Sequence, residues 1–103
     1  MSFLSELFGG SRIREALKKG AMVIDVRTPN EFDQGHVSDS INIPLDRIAL
    51  NAARIKEMQT PVIFCCASGA RSSQAVQVMK TKGLKEVYNG GSWLKVMKMI
   101  RGL

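Results

Sequence analysis

Two adjacent cysteines, Cys65 and Cys66, and an arginine shortly after them, Arg71, are the residues of this 103-residue chain best suited to covalent chemistry. Ala67-Ser68-Gly69-Ala70 joins them, and such small side chains let successive backbone N–H groups converge on one point as an anion-binding nest. The apolar run Val62-Ile63-Phe64-Cys65 reads as a buried strand, and Ser72–Lys82 reads as a helix. The segment between them therefore lies where a strand's carboxyl end meets the positive end of a helix, the usual ligand site of a parallel sheet. A thiol at the mouth of that nest is expected to have a lowered pKa, because backbone dipoles and Arg71 favour the thiolate. Cys66 is thus read as an activated nucleophile without a partner base, with Ala67, Ser68, Gly69, Ala70 and Arg71 as its substrate-binding loop.

Cys65 receives the opposite reading. Side chains alternate along a strand, which turns it away from Cys66 and into the core as a small apolar residue. A bridge between the two would be strained, since ordinary disulfides need more distant Cα atoms than neighbours provide. Two adjacent thiols and one distant histidine match no zinc spacing, so neither a metal nor a cofactor is expected. His36, the single histidine, is read as a buried, hydrogen-bonded residue rather than half of a Cys–His dyad. Asp25 and Arg27 follow another strand end, where they either border the site or form a structural ion pair. Trp93 is expected to pack in the core.

The elements that must position these residues follow from periodicity and caps. Ser11 is expected to cap a helix over Arg12–Lys19 that Gly20 ends. Met22-Val23-Ile24-Asp25-Val26 reads as a buried parallel strand. Thr28-Pro29-Asn30-Glu31 spells a capping box with proline at the first helical position, and Gly35 keeps that helix short. Ile41-Asn42-Ile43 is a further strand, stopped by Pro44. A helix is expected from about Asn51 to Met58, with Ile55 and Met58 inward. In the helix after the cysteines, Ala75, Val76 and Met79 share a face, Lys80 and Lys82 sit in the last turn, and Gly83 caps it. Val87-Tyr88 is a last short strand, and Gly90-Gly91-Ser92 leads into a helix with Trp93, Val96, Met97 and Ile100 at helical spacing. Strands alternating with helices at these lengths predict an α/β domain with a mostly parallel sheet.

Composition bounds the rest. Hydrophobic residues make up 45% of the chain and charged residues 23%, ordinary values for a globular domain with a core of its own. The apolar N-terminal segment, residues 1–10, is set off from a single domain over 11–103 and is expected either to pack on it or to dock a partner. It lacks a basic n-region, and Glu6 interrupts it, so it reads poorly as a signal peptide. No apolar run approaches the ~20 residues a membrane span needs. Free adjacent thiols fit a reducing compartment, and a cytoplasmic location is expected. The net charge of +6 is spread over fifteen Lys and Arg, which suits a solvated surface or a field that attracts small anions. There is no basic block or aromatic-interleaved stripe for nucleic acid.

In order and spacing, three segments resemble the rhodanese family. Asp25-Val26-Arg27, Glu31-Phe32, Gly35-His36-Val37 and Ile41-Asn42-Ile43-Pro44 are similar to its upstream motif. Phe64 through Ser72 is similar to its active-site loop, and Tyr88-Asn89-Gly90-Gly91 followed by Trp93 to its closing segment. The resemblance implies a twisted, mostly parallel five-stranded sheet with helices on both faces. It places the family's catalytic cysteine at Cys66. It also implies transfer of sulfane sulfur from thiosulfate or a persulfide, through a Cys66 persulfide, to cyanide or a thiol. The implied partners are a small anionic donor, which Arg71 could orient, and a small or protein-borne acceptor. The alternatives within the fold are a sulfur-relay or binding module and, more remotely, a phosphatase or arsenate reductase. The latter use a Cys-x5-Arg loop, one residue longer than the four residues between Cys66 and Arg71 here.

Overall fold

The computed structural model describes residues 10–103. The N-terminal segment set off above lies, except for Gly10, outside the described residues. Helix α1 spans Gly10–Lys18 and strand β1 spans Met22–Asp25. Short helix α2 (Pro29–Asp33) and strand β2 (Ile41–Asn42) follow. Two 3-10 turns, Leu45–Arg47 and Ala49–Asn51, lead into α3 (Ala52–Glu57). Strand β3 (Val62–Cys66), helix α4 (Ala70–Thr81), strand β4 (Val87–Ser92) and helix α5 (Trp93–Arg101) complete the order.

The strands form one sheet in the order β2-β1-β3-β4, every neighbouring pair parallel. Two apolar layers sandwich it. On one face Ile55 of α3 and Ala75 and Met79 of α4 cover Ile24, Val62 and Phe64. On the other, Ile13 and Ala16 of α1 and Val96 of α5 cover Val23, Ile63 and Cys65. The alternation of β3 thus serves both layers, as expected for a central strand buried on two sides.

Among the described residues the sheet has four strands rather than five. The chain offers four apolar runs of strand character, and the fifth strand was implied by resemblance alone. Residues 45–57 form 3-10 turns and α3 instead. Two helix starts also move. α1 begins at Gly10, so Ser11 lies inside it rather than capping it. α4 begins at Ala70, which brings Arg71 into its first turn. The capping box at α2 is formed as expected: Thr28 accepts from the Glu31 amide, and the Glu31 carboxylate accepts from the Thr28 amide.

β4 runs four residues past Tyr88 because a bulge lets it follow β3 to its end. The register passes from Phe64 opposite Asn89 to Cys65 opposite Gly91, leaving Gly90 as the extra residue. A Cβ on Gly90 would stand 2.7 Å from both Ile63 Cγ2 and Val96 Cγ2, so no larger residue fits between sheet and α5. The bulge brings Asn89 to the loop that follows β3.

Candidate active site

β3 ends on Cys66, and the chain then turns through Ala67-Ser68-Gly69 into α4. Gly69 stands at φ 106°, a left-handed conformation that glycine adopts without steric cost. That turn aims the Gly69 amide at Cys66, donating to Sγ at 3.0 Å. The Ser72 hydroxyl, fully buried one turn into α4, lies 3.5 Å from the same sulfur.

Cys66 is only 1% exposed, so it forms the floor of the loop rather than standing at its mouth. Exposed Ala67, Ser68 and Ala70 make the rim. Burial alone would push this thiol up. Hydrogen bonds from the Ser72 hydroxyl and the Ser72, Gly69 and Ser68 amides outweigh it, and the pKa falls below the ordinary thiol value. Cys65, 0% exposed, has no such donors. Burial, reinforced by the Asp25 carboxylate, pushes its thiol up to about 12.

Ser72 and Asn89 were absent from the expected site, and both are integral to it. Ser72 Oγ lies 2.7 Å from Asn89 Oδ1 and 3.1 Å from Gly69 O. Asn89 Nδ2 donates to Gly69 O at 3.1 Å, and Asn89 Oδ1 accepts from the Gly91 amide at 2.9 Å. Asn89 thereby holds the loop carbonyl and the serine hydroxyl together. A hydroxyl has one proton and two lone pairs. With a thiol, Ser72 can accept from Cys66 and donate to Asn89. With a thiolate it can turn its proton to sulfur, leaving Asn89 Oδ1 bonded to Gly91. Both residues lay within the segments that resemble the family, Ser72 at the end of the loop and Asn89 beside the double glycine, but nothing local paired them.

Arg71 does not reach over the loop unaccompanied. Its two terminal nitrogens donate to Glu31 Oε1 at 2.8 Å and Oε2 at 3.0 Å. Glu31 therefore serves both the α2 capping box and a brace from α2 to α4. Arg71 and the Thr28 amide hold its carboxyl down at about 2.

Asp25 and Arg27 form the structural ion pair that was one of their two expected roles. Arg27 donates through Nε and one terminal nitrogen to the fully buried Asp25 carboxylate, at 2.7 Å at closest. Arg27 also donates to Gly35 O at 2.7 Å and lies beneath the Trp93 ring, 4.8 Å from its centroid. Trp93 packs against the core layer of Val37, Ile63 and Val96 as expected, but it is only half-buried, with its ring over this arginine and beside Gly35. His36 is hydrogen-bonded as expected, through Nδ1 to Phe32 O at 2.8 Å, but it is exposed, not buried. Its ring stacks on Phe32 at 3.7 Å on the outer side of α2, and it makes no hydrogen bond to Cys66.

The family model for a rhodanese-like domain matches residues 11–95. The chain belongs to the rhodanese-like family. The uncharacterized protein YqhL of Bacillus subtilis is 39% identical over 69 residues, a match covering 67% of this chain and 54% of that protein. The match thus spans about half of that relative's length. The thiosulfate sulfurtransferase PspE of Escherichia coli is 35% identical over 69 residues, 66% of each chain. Among solved structures, a rhodanese with anions from E. coli superposes with a TM-score of 0.67 at 32% identity, covering 73% of this chain and 89% of that one.

Proposed function

We propose that this rhodanese-like protein is a sulfurtransferase that moves sulfane sulfur from thiosulfate or a persulfide donor to cyanide or a thiol, through a persulfide on Cys66. The observation that carries this reading is the set of donors on one sulfur: the Gly69 amide at 3.0 Å and the Ser72 hydroxyl at 3.5 Å. They favour the thiolate, which is the nucleophile.

In the first displacement the Cys66 thiolate attacks the outer sulfur of thiosulfate. A new S–S bond forms at Cys66, the donor's S–S bond breaks, and sulfite leaves with the electron pair. In the second, cyanide or a thiolate attacks the terminal sulfur, and Cys66 leaves again as thiolate. No oxidant or reductant is consumed. Sulfite departs as an anion, so the first step requires no general acid, consistent with His36 making its hydrogen bond to Phe32 instead.

The amides of residues 67–71 are the proposed cradle for the persulfide's terminal sulfur, as backbone donors are for other developing anions. Because Cys66 lies at the floor of the loop, a donor has to present its sulfur end-on. That suits a slender sulfane sulfur, and the four-residue spacing to Arg71 leaves a smaller ring than a phosphate-enclosing loop.

The test is thiocyanate formation from thiosulfate and cyanide, with wild-type protein against Cys66→Ser. Sustained turnover that the substitution abolishes is expected. Stoichiometric sulfur uptake on Cys66 with slow release would instead assign the protein to sulfur relay. Absence of uptake from thiosulfate and from persulfides would overturn both.

A further inference from the structure

Among the described residues, Arg27, Arg71 and Lys95 are carried by segments that adjoin β3 or its loop, and the first two are already matched. Arg27 is paired with Asp25 beneath Trp93. Arg71, the cation expected to meet an anionic donor, gives both terminal nitrogens to Glu31. Each pair is neutral as a unit, so neither offers much net attraction to a dianion arriving from solvent.

The third is Lys95, in the first turn of α5. Its amide is fixed by the Ser92 cap at 3.1 Å, and its stem lies across Gly91. A Cβ on Gly91 would stand 3.5 Å from Lys95 Cδ. Gly91 in turn abuts the catalytic loop: a Cβ on Gly69 would stand 3.4 Å from Gly91 Cα. Since the Gly69 amide donates to Cys66 Sγ, the Lys95 stem, Gly91 and Gly69 are successive neighbours on the way to the reactive sulfur. Among the described residues the ion pairs are Lys18–Glu15, Arg27–Asp25 and Arg71–Glu31, so the Lys95 ammonium has no carboxylate partner. Lys95 is exposed, and its stem passes the Gly91 backbone, where φ +84° favours glycine.

We propose that Lys95, beside Gly91 and the loop after β3, is the specificity-determining residue that receives the anionic end of the sulfur donor. Glu31 contributes by occupying Arg71, so that the preference for negative donors rests on one side of the loop. This rests on the sulfurtransferase reading for its substrate, but its physical content is a local field at Cys66.

The test measures that field without sulfur transfer. Rates of Cys66 alkylation by anionic iodoacetate and neutral iodoacetamide are compared at fixed pH, with the site followed by peptide mass. Lys95→Gln is expected to lower the iodoacetate-to-iodoacetamide ratio by ~3-fold or more, the order expected of one nearby charge screened by solvent. Lys95→Arg should restore it, and Lys98→Gln, one turn along α5, should leave it within ~1.5-fold. Glu31→Gln, which releases Arg71, should raise it. Thiosulfate kcat/KM should follow the same order, chiefly through KM. An unchanged ratio in Lys95→Gln, or an equal fall in Lys98→Gln, overturns the proposal even if Cys66 accepts sulfur normally. The expected ratios in a protein that takes up no sulfur would support the Lys95 field and overturn the sulfurtransferase reading alone.

Discussion

Cys65 and Cys66 are neighbours in sequence, both closed to solvent, and opposite in chemistry. Cys65 faces the layer built by Ile13, Ala16, Ile63 and Val96, where the Asp25 carboxylate opposes its thiolate more than Arg27 favours it. Cys66 faces the other layer, and there the chain turns back so that amides and a hydroxyl point at its sulfur. Exposures of 0% and 1% cannot account for thiols displaced in opposite directions. Burial raises both thiols, but at Cys66 it does not decide the sign of the shift. What decides it is whether the low-dielectric space holds donors aimed at the sulfur or only apolar groups and a like charge.

The largest expected effect comes from removing one sulfur at a time. Cys66→Ser should abolish sulfur uptake, whereas Cys65→Ala should retain activity within about 2-fold, with a loss of order 1 kcal/mol in stability from the vacated core volume. Equal loss in both, measured as thiocyanate formation on folded protein, would break the contrast.

An intermediate effect is expected from making Cys66 more like Cys65. Ser72→Ala removes one donor and leaves the cavity apolar. A hydrogen bond to a charged group contributes ~1.5–3 kcal/mol, which corresponds to about one to two pH units. The pH midpoint of Cys66 alkylation should rise accordingly; no rise would remove Ser72 from the account. Asn89→Ala should give a smaller rise, since Asn89 acts on the sulfur only by holding Ser72 and Gly69 O.

The smallest effect concerns the brace at the rim. The Glu31 carboxyl is lowered in the folded state to about 2. A depressed acid contributes stability above its unfolded pKa of ~4.3, and that contribution is lost as pH falls toward the folded value. The pair is over a third exposed, so the acid-induced loss in Tm that is specific to it should be slight. Glu31→Gln should remove that component between pH 4 and 2; an identical acid profile in wild type and variant would show the brace has no energetic weight.

Much of this was legible in the sequence where the signal is local. The capping box at Thr28 and Glu31, the buried runs of β1 and β3 and the glycine-bearing loop after Cys66 each involve residues within a few positions of one another. What sequence withheld depends on distant segments meeting. The Ser72–Asn89 pair spans 17 residues and the Glu31–Arg71 pair spans 40, so neither leaves a periodic or cap signature. Glu31 was fully accounted for by its local role, which concealed its second partner. His36 follows Gly35 in a largely polar stretch, between Asp33-Gln34 and Ser38-Asp39, and its ring stacks on Phe32. Residue type alone could not distinguish that surface stack from burial. The bulge at Gly90 carried β4 past Tyr88, and the need for glycine there comes from side chains on β3 and α5 that are distant in sequence.

The most direct measurement of the central claim is site-resolved alkylation of both cysteines in the native protein across pH. Cys66 is predicted to react with a midpoint below the ordinary thiol value, while Cys65 stays unmodified until the protein unfolds. Modification of Cys65 at a comparable rate, or a Cys66 midpoint at or above that of an ordinary thiol, would contradict the account.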